Sequence, residues 1–272
     1  MGGNAFKSPD GETLSSSIMM REVQPTVDQF LKNILRGAGV AELELLGSSG
    51  KRQLSGDIDV AVGPVPVDMT DQDFKAQILA ACRAKLGDEH AKLVGQNIAV
   101  NYPIVSSDPE RRDKRVQVDL MLSRNPEHTA WLMSGTGDAQ IKGVFRNLLL
   151  SYIAKKQSAM TGDKITVAFP GGVQVVRGDE VILNRTEDPA TIIRVLGLDA
   201  DPKDLTDFER VFDAAQEKVD MSEFENYISA YMKRDPVEGG RVMAILKGKQ
   251  TETPSDLQER LIRTAIRALL RV

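Results

Sequence analysis

Hydrophobic positions recur along this chain with two different periods. Over Ser15–Arg36, Val27, Phe30, Leu31 and Leu35 fall at helical spacing, which predicts a helix, with Pro25 breaking or restarting it and Gly37 and Gly39 ending it. The period then drops to two. Glu42–Leu46 alternates like a strand, Gly47-Ser48-Ser49-Gly50 reads as a turn, and Asp57–Val62 alternates with apolar residues opposite the carboxylates. A helix is predicted over 70–86, a strand over Asn97–Val105, a polar loop over Arg111–Lys114 and a strand over Val116–Leu122. From residue 125 onward the pattern is mainly helical, with a long helix from about Ala139 to Lys156. A small β-hairpin is expected over Ile165–Asn184, with turn signals at Gly171-Gly172 and Gly178-Asp179. Helices are expected near 189–196, 203–217, 221–233, 236–246 and 255–271. The resulting fold class is α+β. A loose tail over 1–13 leads into a mixed β-sheet flanked by helices over 14–135, then a mainly helical C-terminal domain with a small β-hairpin over 136–272; the joint falls near 123–135.

Composition narrows the class. The chain has 272 residues, 41% hydrophobic and 27% charged, which describes a globular protein and excludes a disordered or fibrous one. A chain this long buries about three quarters of its unfolded surface and needs no disulfide or zinc staple. One cysteine, Cys82, excludes an internal disulfide framework and a multi-cysteine zinc site, and its neighbours Ala80 and Ala81 fit a small core residue. Two histidines, His90 and His128, argue against a multi-histidine metal site and serine-hydrolase chemistry. The N-terminal stretch has no apolar core of signal-peptide length, and Phe6 stands where a myristoylation signal wants Ser or Thr. A cytoplasmic location is the expectation. The net charge of −4 means that any nucleic-acid binding must rest on a local basic face.

Three carboxylates carry the candidate chemistry. Asp57 and Asp59 sit two residues apart on a predicted strand, so both side chains point to one face. Asp119 lies in another strand with the same alternation, and if the two strands are neighbours all three converge. Two like charges about 4 Å apart repel by roughly 1 kcal/mol in water and about 4 kcal/mol at an effective dielectric of about 20. Such a cluster calls for a cation, and oxygen ligands on rigid strands suit Mg²⁺. An isolated Asp-x-Asp is commonly no more than the solvent side of a half-buried strand. The preceding turn changes that reading: Gly47-Ser48 lies ten residues before Asp57 (57 − 47) and is followed by Gly50, Lys51 and Arg52. Small residues let backbone N–H groups approach an anion, the Ser48 hydroxyl can donate to a phosphate oxygen, and Lys51 or Arg52 can neutralise it.

The segment Leu46-Gly47-Ser48-Ser49-Gly50-Lys51-Arg52-Gln53-Leu54-Ser55-Gly56-Asp57-Ile58-Asp59-Val60, with Val118-Asp119-Leu120, resembles the DNA polymerase β-like nucleotidyltransferase superfamily, and its Gly-Asp-x-Asp form is closest to the family X polymerase palm. The resemblance covers roughly residues 43–150. It implies that Asp57 and Asp59 bind two Mg²⁺ ions (or Mn²⁺ in their place), that Asp119 binds the catalytic one, and that Gly47 and Ser48 hold the terminal phosphates of a nucleotide. Trp131-Leu132-Met133-Ser134-Gly135-Thr136-Gly137, leading into a helix with Lys142 and Arg146, also resembles family X. That match implies that Thr136-Gly137 faces the nucleotide sugar and that Lys142 and Arg146 approach the nucleotide or nascent base pair. The sequence departs from the family in three ways. Ser134 and Gly135 replace the bulky aromatics that usually crowd a ribose 2′-hydroxyl, the interval from Gly47-Ser48 to Asp57 is one residue short, and the segment before Glu42 is too short for a helix-hairpin-helix domain.

The resemblance implies a metal-dependent nucleotidyltransferase that moves a nucleoside monophosphate from an NTP or dNTP to a hydroxyl and releases pyrophosphate. A nucleic-acid 3′ end is the leading acceptor, as in a polymerase or terminal transferase. The other readings are nucleotidylation of a protein or small-molecule hydroxyl, and a catalytically silent nucleotide- or nucleic-acid-binding module. Arg260, Arg263, Arg267 and Arg271 share one face of the last predicted helix, either as a phosphate-binding stripe or as a solvated face. Arg111, Arg112, Lys114 and Arg115 precede the Asp119 strand, near a nucleotide or as a plain surface loop. His128 and Trp131 are expected to pack at the domain joint. No Gly-rich phosphate loop ending in Gly-Lys-Ser/Thr and no nucleophile elbow is present.

Overall fold

The computed structural model describes residues 5–47, 49–51, 53–133, 143–169 and 171–251. Its first compact unit runs from Met1 to Ala215 and a second begins at Gln216. The unit boundary therefore falls well beyond the joint anticipated near 123–135, and the helix and hairpin after residue 143 belong with the sheet.

The predicted helix over Ser15–Arg36 begins later than its hydrophobic spacing implies. Ile18–Met19 is a short strand (β1), and the helix α1 spans Met20–Phe30, followed by a π-turn over Leu31–Leu35 and a 3₁₀ turn over Arg36–Ala38. The delay has a cause in pairing, because Ile18 lies opposite Ser55 and Met20 N–H bonds to Gln53 O at 3.0 Å. Glu22 sets the start of α1: its carboxylate accepts from Met19 N–H at 3.0 Å, satisfying a donor that the helix leaves unpaired. Pro25 sits inside α1 without ending it. Gly39, at φ +81°, turns the chain out of the helical run.

The strands that follow are β2 (Glu42–Leu45), β3 (Leu54–Ser55), β4 (Asp57–Gly63), β5 (Ala91–Val94), β6 (Asn97–Pro103) and β7 (Arg115–Leu122), with helix α2 (Asp71–Leu86) between β4 and β5. Five of them form one mixed sheet in the order β2-β4-β7-β6-β5, in which only β4 and β7 pair in parallel. The short strands β1 and β3 pair separately. The alternation within β4 and β7 has the expected effect. Ile58, Val60 and Val62, with Val116, Val118 and Leu120, are fully buried in a core with Val23, Val27 and Phe30 of α1 and Phe74, Ile78 and Cys82 of α2. The opposite face of the two strands carries the acids. Strand β5 escapes the sequence pattern because it is only four residues long and follows a 3₁₀ turn over Asp88–His90.

After the sheet come α3 (Pro126–Met133), α4 (Gly143–Thr161), β8 (Lys164–Ala168), β9 (Gly172–Arg177) and β10 (Glu180–Thr186). The expected hairpin is thus a three-stranded antiparallel sheet in the order β10-β9-β8, with turns at Gly171-Gly172 and Gly178-Asp179. Gly172 has no room for a side chain, since a Cβ there would lie 1.7 Å from Thr186 O. Helices α5 (Pro189–Val195) and α6 (Phe208–Ala214) complete the first unit. In the second, α7 (Met221–Arg234) and α8 (Pro236–Thr251) approach closely, and a Cβ at Gly239 would lie 2.9 Å from Met232 Cβ. The architecture is α+β, with a mixed sheet flanked by helices and a helical C-terminal region. Among the described residues no helix is long and apolar enough to cross a membrane. The anticipated helix over 255–271, with Arg260, Arg263, Arg267 and Arg271, lies outside the described residues.

The N-terminal segment differs from the loose tail its composition predicts. From Ala5 onward it is held as a strap. Lys7 bridges Thr13, Leu14 N–H bonds to Phe6 O at 3.0 Å, and Phe6 is 2% exposed. Ser16 N–H reaches Arg115 O at 2.7 Å on β7.

Glu22 joins α1 to the loop before β7. Beyond the Met19 bond, it accepts from Arg111 Nε at 2.8 Å and Ser106 Oγ at 2.6 Å while 2% exposed. Burial raises its pKa, but the bonds from Arg111, Ser106 and Met19 outweigh burial and hold it below the ordinary 4.5. A depressed carboxylate stabilises the fold above its unfolded pKa, and that stability is lost as pH falls through the folded value. Glu22→Gln is therefore expected to cost on the order of 1–3 kcal/mol near neutral pH and less below pH 4. Urea melts at pH 7 and at pH 3.5 measure the difference.

Candidate metal centre

The parallel pairing of β4 with β7 sets Asp59 directly opposite Asp119 and Asp57 opposite Gln117. Because side chains alternate, Asp57, Asp59, Gln117 and Asp119 all emerge on the face away from the core. Each of the three acids offers a carboxylate oxygen, the three oxygens lie within 4.8 Å of one another, and all three residues are half-buried. The convergence that the sequence made conditional on neighbouring strands is present.

The electrostatics match this crowding. Burial, reinforced by the charges of Asp57 and Asp119, pushes the Asp59 carboxyl up to about 7. Burial also raises Asp119, with Asp57 adding to the rise and hydrogen bonds from Gln117 opposing it. Three acids held this close are ill-matched to one another without a positive charge among them. An all-oxygen donor set of this kind fits a hard divalent cation, and the three Asp residues can hold one.

The turn beside the acids is built around Asp59. Gly47 adopts φ +58°, a left-handed conformation that glycine takes without strain, and a Cβ on it would stand 3.8 Å from Asp59 Oδ2. Leu46 N–H bonds to Asp59 O at 2.8 Å, and the Ser49 hydroxyl accepts from Asp59 N–H at 2.8 Å. Ser49 is 3% exposed, so the second serine of the turn pins the loop to the acid-bearing strand. Lys51 is half-buried in the same loop, and burial lowers its pKa. Ser48, Arg52, Thr136, Gly137 and Lys142, the remaining nucleotide-binding candidates, lie outside the described residues.

Arg146 departs from its expected role. It is fully buried rather than facing a nucleotide. Its Nε donates to Leu205 O at 2.8 Å and its Nη1 to Leu132 O at 3.2 Å, while the guanidinium lies 4.4 Å from the centre of the Trp131 ring. Trp131 Nε1 in turn donates to Pro202 O at 2.8 Å. The pair clamps the loop over 202–205 to α3 and α4. Burial pulls the guanidinium pKa down to about 10, with Asp207 opposing. The cause is visible in the helix pattern: Leu149, Leu150 and Ile153 follow Arg146 at spacings of three, four and seven, so Arg146 leads the apolar stripe of α4. In the loop before β7, Arg111 is committed to Glu22 while Arg112 and Lys114 are exposed, and Arg115, the first residue of β7, donates to Asn101 O at 2.8 Å.

Two residues near the acids, Ser49 and Gln117, are not among the site residues expected from the sequence. Ser49 closes the turn onto the Asp59 backbone. Gln117 is a polar position of β7 whose Nε2 donates to both Asp119 oxygens, at 3.0 and 2.9 Å. Its spacing of two from Asp119 was the available clue. Comparison with protein-family profiles and with curated protein sequences finds no match for this chain.

An acid whose pKa is higher folded than unfolded favours the fold at low pH, and that contribution is lost as pH rises from its unfolded value toward its folded one. For Asp59 the window runs from about 3.8 to about 7. Metal-free protein is thus expected to lose stability across this range, and Asp59→Asn to raise the melting temperature at pH 8 by several degrees. Adding Mn²⁺ is expected to stabilise the unaltered protein and not the variant, which calorimetry with and without EDTA tests. Arg146→Met is expected to cost roughly 2–4 kcal/mol, because it leaves the carbonyls of Leu205 and Leu132 without their donor; equilibrium urea unfolding measures it.

Proposed function

We propose that this protein is a metal-dependent nucleotidyltransferase with a polymerase β-like palm, moving a nucleoside monophosphate from an NTP or dNTP to a hydroxyl. The observation that carries the reading is the register of β4 and β7, which sets Asp59 opposite Asp119 with Asp57 on the same face, beside a left-handed Gly47. Asp57, Asp59 and Asp119 would hold two Mg²⁺ ions. When bound, these supply the positive charge that offsets the triphosphate and lowers the pKa of the attacking hydroxyl.

The chain's own residues have separable tasks. The Gly47 turn presents a close backbone approach to a phosphate, and Lys51 lends the loop positive charge. The acceptor oxygen forms a bond to the α-phosphorus as the bond to the β-phosphate oxygen breaks, and pyrophosphate leaves. The hydroxyl proton passes to an Asp119 carboxylate oxygen or to water. Asp57 and Asp59 hold fixed positions because their strand is paired on both sides, by β2 and β7.

A nucleic-acid 3′ end is the acceptor we favour, making the protein a polymerase or terminal transferase. The net charge of −4 supports a second reading, in which the hydroxyl belongs to a protein or a small molecule. Mg²⁺ and each labelled NTP or dNTP, supplied with primer, primer–template, transfer RNA or no nucleic acid, separate these by where the label appears. Asp119→Ala is expected to lower kcat by more than about 100-fold, the upper end of what a residue merely supporting a metal ligand costs. Triphosphate affinity is expected to stay largely intact; full turnover by this variant would overturn the proposal.

A further inference from the structure

The N-terminal strap and the acid cluster meet at a single side chain. Gln117 lies on β7 two residues before Asp119, on the same face, and is 5% exposed. Its Nε2 faces the carboxylate and donates to both oxygens of Asp119, at 3.0 and 2.9 Å. Its Oε1 faces the other way and accepts from Ala5 N–H at 2.7 Å. A side-chain amide has one accepting end and one donating end. If the amide turned over, a nitrogen would face the Ala5 N–H and an oxygen would face the Asp119 carboxylate, so both contacts would become repulsive. The Ala5 N–H therefore fixes which end Gln117 shows to the acid.

The strap is placed to do this by contacts away from Gln117. Ser15 Oγ bonds to Asn101 Oδ1 at 3.1 Å, and Asn101 is the β6 register partner of Gln117. Lys92 Nζ sits 5.0 Å from the centre of the buried Phe6 ring, and Lys92 lies on β5. The strap thus crosses the acid-bearing face from β5 over β6 to β7. The Gln117 bonds consume lone pairs of Asp119 without occupying all of them, since a carboxylate offers about four acceptor sites.

We infer that Gln117 is a positioning residue for Asp119 and that the strap Ala5–Ser15 is part of the metal centre, orienting Gln117 from behind. The inference rests on the metal-holding reading given above and does not require nucleotidyl transfer. Outer partners of a metal ligand fix its orientation, and their loss costs about 10–100-fold in metal affinity.

The test uses the full-length chain and Mn²⁺ alone, titrated by electron paramagnetic resonance. Gln117→Met keeps the length and apolar bulk but neither accepts from Ala5 nor donates to Asp119, and it is expected to weaken Mn²⁺ binding about 10- to 100-fold. The same variant is expected to lose exchange protection at the Ala5 amide, with the thermal melt confirming that it is folded. Ala5→Pro removes the strap's N–H and leaves Gln117 in place; it is expected to weaken Mn²⁺ binding several-fold. A folded Gln117→Met variant that binds Mn²⁺ within about twofold of the unaltered protein overturns the role of Gln117, and an Ala5→Pro variant that does so overturns the role of the strap. A protein that binds Mn²⁺ and shows the Gln117→Met loss, yet transfers no nucleotide to any acceptor, supports this inference and overturns the proposed function. Absence of saturable Mn²⁺ binding in the unaltered protein overturns both.

Discussion

Repulsion among three carboxylates is the constraint around which this structure is arranged. Left to themselves, Asp57, Asp59 and Asp119 would separate, because half-burial weakens the solvent screening that makes such neighbours tolerable. What holds them is backbone pairing. The hydrogen-bond ladder between β4 and β7 cannot slip by one residue without turning Ile58, Val60 and Val62 out of the core, where all three are fully buried. Hydrophobic burial on one face of the sheet thus fixes an unfavourable electrostatic arrangement on the other. Local charge crowding maintained by the rest of the fold is a mark of functional sites.

The surroundings are consistent with that view. Ser49 ties the Gly47 turn to Asp59, and Gln117 spends its amide on Asp119. These are neutral partners, which orient the acids without cancelling their charge. Two of the basic residues before and at the start of β7 are occupied elsewhere: Arg111 is committed to the buried Glu22, and Arg115 binds the Asn101 carbonyl.

Much of the sheet and the acid pair was legible in the sequence, because both depend on local periodicity. Asp57 and Asp59 share a face by the two-residue repeat alone. The place of Asp119 was legible only as a condition, since strand adjacency is non-local. The strap was missed for the same reason: a Gly-, Ser- and Pro-rich composition describes what a segment can do alone, and Phe6 finds its burial only against a sheet made later in the chain. Arg146 was misplaced because residue type was given more weight than position; an arginine ordinarily lies in solvent, but its place at the head of an apolar stripe decided the outcome. Strand β5 and the late start of α1 were set by pairing partners that no local pattern records.

The parallel pairing of β4 and β7 also governs when the site comes into being. Two parallel neighbours cannot be joined by a tight turn, and here α2, β5 and β6 intervene, so that Asp59 and Asp119 are 60 positions apart (119 − 59). A chain emerging from the ribosome presents the first two acids long before the third, with no cage for an ion to enter. A metal ion held by these three acids would therefore not nucleate the fold; it would enter at the end of assembly, into a sheet whose formation is driven by its own core.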